Sequence, residues 1–172
     1  MRKTMEVLAL GVLGILYWIT YAALYGPDRL PARVPTHFDI SGQPNAWGSP
    51  ENLWLLPIVG AGLYLLMTAL GSIQFRSYNL PVRVTQANLP FIQKQTSVMV
   101  AWIKFEMLCL FTYIQAEIIH AARSREFRLS PVMIPVFVGV ILATLGWNVV
   151  VILRGAKERA ESAEPASHMQ DY

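Results

Sequence analysis

The stretch NLWLLPIVGAGLYLLMTALGSIQF, residues 52–75, runs without a single Asp, Glu, Lys or Arg. A helix needs roughly 20 apolar residues to cross a hydrocarbon core about 30 Å thick, so this segment is long enough to span a bilayer. Two more charge-free windows lie at 7–27 and 129–153. Around them the 172-residue chain is 54% hydrophobic and only 15% charged, against about one quarter charged in a soluble domain. A soluble enzyme is excluded, and the chain reads as an all-α integral membrane protein.

Working outward, Ser49, Pro50 and Glu51 form a helix start: a capping hydroxyl, a proline suited to the first position and an acid at the positive end of the dipole. Ser130 and Pro131 repeat that start before the last window. The first window follows Arg2 and Lys3, but its bulky Tyr17, Trp18 and Tyr21 and the lack of a small-x-small site favour a retained anchor over a cleaved signal. The spans are placed at about 5–25, 53–73, 96–119 and 131–153, in one domain over 1–153. Polar, small residues at 154–172, with His168 among them, predict a disordered cytoplasmic tail.

The third span differs, because it carries Lys104, Glu106 and Glu117, with His120 at its end. Ten strong apolar residues in it are together worth about −3 to −6 kcal/mol on the insertion scale, and one central charge costs roughly +2.5 to +3.5. Such a helix is near break-even alone and needs neighbours. At about 100° per residue, Glu106, Tyr113, Glu117 and His120 share one face, and Lys104 points about 200° away from Glu106. Lys104, Glu106 and Tyr113 are the intramembrane polar candidates, with Thr144 or Asn148 as partners for Glu106. Gly60, Ala61 and Gly62, and the stripe Gly139, Ala143 and Gly146, read as helix-packing seams.

With the N terminus inside, eight basic residues (Arg2, Lys3, Arg76, Arg83, Lys94, Arg154, Lys157, Arg159) fall on the inner side and five (Arg29, Arg33, Arg123, Arg125, Arg128) on the outer. That bias predicts an N-in/C-in topology. The net charge of +3 is scattered without a basic face, which argues against nucleic acid as a partner. Cys109 has no mate for an intramolecular disulfide.

Residues 26–52 form a long first loop with prolines at 27, 31, 35, 44 and 50. Loops of this length are functional or disordered, and the prolines argue for order. Within VPTHFDI the alternation places Val34, Thr36, Phe38 and Ile40 on one side of an extended strand, His37 and Asp39 on the other, and SGQPN reads as a turn. Trp47 suits a membrane interface.

LPARVPTHFDISGQPNAWGS, residues 30–49, resembles the extracytoplasmic loop of a bacterial membrane domain family of unknown function, of the DUF1648 type, that also forms the N-terminal part of SdpI-like immunity proteins. Leu30, Pro31, Val34, Pro35, His37, Phe38, Asp39, Gly42, Pro44, Trp47, Gly48 and Ser49 fit its pattern. Asn45 stands where the family often has an acid, and Pro50 where it often has Lys. NLPVRVTQAN, residues 79–88, is similar to the family's second conserved segment. The resemblance implies a multi-pass protein of the bacterial cytoplasmic (inner) membrane, without implying a reaction.

The expected function is a non-enzymatic binding, sensor or immunity-type module. Its outer loop, through Pro35, His37, Phe38, Asp39, Gly42, Pro44 and Trp47, would contact a membrane-active peptide or another membrane protein. A homo-oligomer is a further expectation. Two alternatives compete: a structural subunit of an envelope complex, and a membrane hydrolase in which His37, Asp39, Glu117 and His120 hold a divalent metal with one open position. Nothing in the spacing demands that metal, since no His-Glu-x-x-His helix occurs.

Overall fold

The computed structural model describes residues 1–39, 41–73, 79–124 and 130–168. Helix α1 (Arg2–Tyr25) leads into an antiparallel hairpin of β1 (Val34–Phe38) and β2 (Pro44–Gly48). A 3₁₀ turn over Pro50–Trp54 opens α2 (Leu55–Ser72), and α3 (Leu89–Ser124) and α4 (Met133–His168) complete the chain. Four helices are long and apolar enough to cross a membrane. Among the described residues the protein is helical except for this hairpin and the turns around it.

α3 is the hub, in contact with α1, α2, α4 and β1. It runs parallel to α1: Leu13 and Leu16 of α1 pack with Leu108, and Ala23 lies with Ile118 and Ile119. Gly60 of α2 faces Leu13, Leu16 and Leu108, where a Cβ would come within 3.3–3.4 Å of their methyl groups. The expected seam in α2 is therefore Gly60, while Gly62 has nothing within 4 Å. In lipid such close approach supplies the dispersion contacts that replace a hydrophobic driving force between helices.

Three buried polar side chains tie the helices at different levels. Lys104, fully buried, pairs with Glu6 of α1 and donates to Thr68 Oγ1 of α2 at 2.7 Å, with its ammonium 4.4 Å from the centre of the Tyr64 ring. Gln115, about three turns nearer the hairpin, donates through Nε2 to Thr20 Oγ1 at 2.7 Å and to the Leu53 carbonyl at 2.9 Å. Asn88 donates to the carbonyls of Arg83 and of Ala156 in α4. Its Oδ1 accepts from the Thr85 amide, and its own amide donates to Thr85 Oγ1, a reciprocal pair that closes the start of α3 like a capping box. Below Asn88 a small core of Ile92, Ile152 and Ala156 forms against Leu80, Val82 and Val84.

Three expectations change. Ser49 precedes the 3₁₀ turn without a side-chain capping bond, so Pro50 and Glu51 carry the start signal there. The 154–172 segment is not a disordered tail through its first part: α4 continues to His168, and residues 169–172 lie outside the described residues. Ala, Lys, Arg and Glu are strong helix formers, and the Lys157–Glu161 pair at i,i+4 adds to them. The Gly139, Ala143, Gly146 stripe is exposed, with nothing within 4 Å of either glycine, because α4 turns Thr144 and Ile152 toward α3 instead.

The Lys104 pair gives an asymmetric prediction. Glu6→Ala strands a fully buried ammonium and is expected to cost about 3–5 kcal/mol. Lys104→Met strands a carboxylate that is 22% exposed, so it is expected to cost only about 1–3 kcal/mol. Thermal unfolding of both variants in the same detergent measures the order, and equal losses would contradict it.

Candidate functional site

The hairpin sits on the end of the bundle where α1 finishes and α2 begins. Val34 and Pro35 are buried, and Phe38 packs with Leu30 against Ala23, Leu53, Ile118 and Ile119. Thr36, His37, Asn45, Ala46 and Trp47 are exposed. The simple alternation expected for VPTHFDI does not hold: Val34 and Pro35 both face inward, and Thr36 and His37 both face out. The pairing Val34 with Gly48, Pro35 with Trp47, His37 with Ala46 and Phe38 with Pro44 contains two register irregularities, and each shifts the side on which the next residue falls. Ile40 lies outside the described residues.

Asp39 locks the turn. Its Oδ1 accepts from the Ser41 amide at 2.8 Å, the Ser41 hydroxyl at 2.7 Å and the Gln43 amide at 2.9 Å. The Asp39 amide donates to the Gln43 carbonyl and the Gly42 amide to the Asp39 carbonyl, closing the loop. Gly42 has φ 80°, a left-handed conformation that glycine adopts without steric cost. Gly48 is needed for a different reason, because a Cβ there would collide with the Asn52 side chain and crowd Thr36.

His37 Nδ1 pairs across the strands with Asn45 Oδ1, which leaves Nε2 without a partner among the described residues. Arg33 donates to the Trp47 carbonyl at 3.5 Å. The exposed side of the hairpin thus carries the His37 imidazole paired with the Asn45 amide, the Arg33 guanidinium on the Trp47 backbone, and the half-open Trp47 indole. Such a face suits recognition of a polar or aromatic ligand through a few rigid contacts. Pro44 is half-buried and opens β2, where its missing N–H is tolerated on an edge strand.

The other candidates are distributed along α3. Glu106 is 8% exposed and its Oε1 accepts from Thr144 Oγ1 of α4 at 2.6 Å, while Oε2 is buried without a partner among the described residues. Tyr113 packs on Phe137, ring centroids 5.7 Å apart. Lys104 belongs to the opposite face and the α1–α2 side. His120 is exposed and lines a cleft of about 300 Å³ with Trp18 and Arg123; Glu117 is half-buried. Among the described residues no three His, Cys, Asp or Glu side chains are grouped to hold a metal ion, so the set His37, Asp39, Glu117 and His120 is not brought together. Asp39 in particular spends one carboxylate oxygen on its own turn.

Glu6 and Gln115 are not among the residues that the sequence singles out, while Asn45 stands out there only as a departure from the family pattern and Asn88 only as the end of the second segment. Gln115 had a signal: eleven residues after Lys104, it returns to the same helix face to within about 20°.

Residues 12–61 match the model of a family described as Domain of unknown function (DUF1648), in agreement with the resemblance read from the loop. The matched stretch runs from α1 through the hairpin into α2 and so contains the whole exposed face. None of the curated proteins and none of the solved structures matches the chain.

The Asp39 carboxyl is held below its ordinary value, first by the Ser41 hydroxyl and then by the Gln43 amide. Its support for the turn is therefore present above the usual Asp pKa of about 3.9 and is lost as pH falls through the lower folded value. Amide resonances of Ser41 and Gln43 followed from pH 6 to 2 are expected to stay constant down to about pH 3.9 and move below it. In Asp39→Ala they are expected to lack that acid transition.

Proposed function

We propose that this membrane protein is a non-enzymatic binding module of the sensor or immunity type, with the hairpin as its ligand-contacting face on the extracytoplasmic side of a bacterial inner membrane. The observation that carries this reading is the hairpin's two-sidedness. Val34, Pro35 and Phe38 fix it to the helix ends, Asp39 and Gly42 lock its turn, and His37, Asn45 and Trp47 are left exposed. A surface loop held this firmly has already lost the conformational entropy that binding would otherwise cost. A membrane-active peptide fits best, since a peptide lying at the interface would meet the exposed Trp47 indole and the exposed His37 imidazole.

The N-in/C-in orientation follows from the excess of basic residues on the helix ends opposite the hairpin. Asn45→Cys in a Cys109→Ala background is expected to react with a membrane-impermeant maleimide added to intact cells. Labelling only after lysis would reverse the orientation.

For function, expression is expected to protect sensitive cells against one or more members of a panel of membrane-active peptides. His37→Ala or Trp47→Ala is expected to remove that protection with protein level unchanged. Full protection by both variants would sink the reading.

A further inference from the structure

At the end of the bundle opposite the hairpin, a cleft of about 550 Å³ opens between the first residues of α1, the end of α2 and the first turns of α3. Arg2, Lys94 and Gln95 line it, together with the apolar Val98. One guanidinium nitrogen of Arg2 donates to Ser72 Oγ at 3.0 Å, and its other N–H groups have no partner among the described residues. Lys94 is exposed and has no acidic partner among the described residues. Among the described residues no carboxylate lines the cleft, and Glu6, one turn along α1, is committed to Lys104.

The position of the cleft decides what those charges meet. Arg2 and Ser72 are the terminal residues of two helices that are long enough to cross a bilayer. Their ends therefore lie where hydrocarbon gives way to headgroups. A guanidinium and an ammonium lining one cleft match a phosphate oxyanion, which Arg grips through paired N–H donors and Lys as a point charge. Basic clefts between membrane helices bind anionic headgroups for this reason. Val98 gives the same cleft an apolar wall one turn deeper into the membrane, which free phosphate has no use for.

We infer that this cleft binds the phosphate group of an anionic phospholipid, with Arg2 and Lys94 as its two cationic contacts. The site is independent of the hairpin and of the ligand proposed for it, and it holds for either orientation of the chain.

The test is lipid binding by the detergent-solubilised full chain, read by native mass spectrometry and by the shift in melting temperature. Phosphatidylglycerol is expected to bind at least ten times more tightly than phosphatidylcholine of the same acyl length. Arg2→Gln/Lys94→Gln is expected to abolish that preference, and the charge-conserving Arg2→Lys/Lys94→Arg to keep it. A preference that survives the Gln pair within twofold, or equal binding of the two lipids by the wild type, would overturn the assignment. Stabilisation by inorganic phosphate at the concentration where the lipid acts would overturn the lipid as its source and assign the cleft to the free anion.

Discussion

A lysine with no exposed surface, buried one turn in from the start of α1 and the end of α2, imposes the first constraint on this molecule. The Lys104 ammonium cannot be left alone at that depth, and its partners come one from each neighbour, a carboxylate on α1 and a hydroxyl on α2. Satisfying it fixes the rotation of three helices at once. Gln115 repeats the device nearer the hairpin, where Thr20 of α1 and the Leu53 carbonyl at the start of α2 take its two amide hydrogens. The opposite face of α3, about 200° round, is left for α4, which meets it through Thr144 on Glu106 and Phe137 on Tyr113. α3 has two sets of neighbours to orient, and its buried polar residues serve them: Lys104 and Gln115 the α1–α2 side, Glu106 the α4 side.

The hairpin depends on that frame. Phe38 finds a pocket only where α1, α3 and the start of α2 converge, and that convergence is what the Gln115 bonds hold. Rigidity in the loop is thus inherited from buried polar contacts within the bundle, together with the turn chemistry of Asp39 and Gly42. A change deep in α3 and a change in the loop can have the same outward effect, because both alter how His37 and Trp47 are presented.

Much of this was legible in the sequence, for reasons of scale. Charge-free windows of more than twenty residues have few other readings, and helices long and apolar enough to cross a membrane cover most of each; the first loop, rich in proline, contains two paired strands. The dependence of the third span on neighbours also followed from its charges. What could not be read is which neighbour each charge would find. Glu6 stands at the edge of a span, a place where an acid usually faces water, and only the parallel packing of α1 on α3 turns it toward Lys104. The side-to-side alternation of the loop failed at Pro35 and His37 because register irregularities are set by strand pairing, which a single strand's sequence does not encode. The polar end of α4 is composed of good helix formers that are equally typical of solvated tails, so composition alone did not decide between the two. The small-residue stripe at Gly139, Ala143 and Gly146 lies on the side of α4 away from α3, a matter of helix rotation that Thr144 and Ile152 determine.

The Lys104 cluster also carries an order along the chain. Glu6 and Thr68 both precede Lys104 in sequence, so the carboxylate and the hydroxyl that satisfy the ammonium are synthesised before it. The third helix is barely apolar enough to partition into lipid unaided, and packing against α1 and α2 lowers the cost of its lysine.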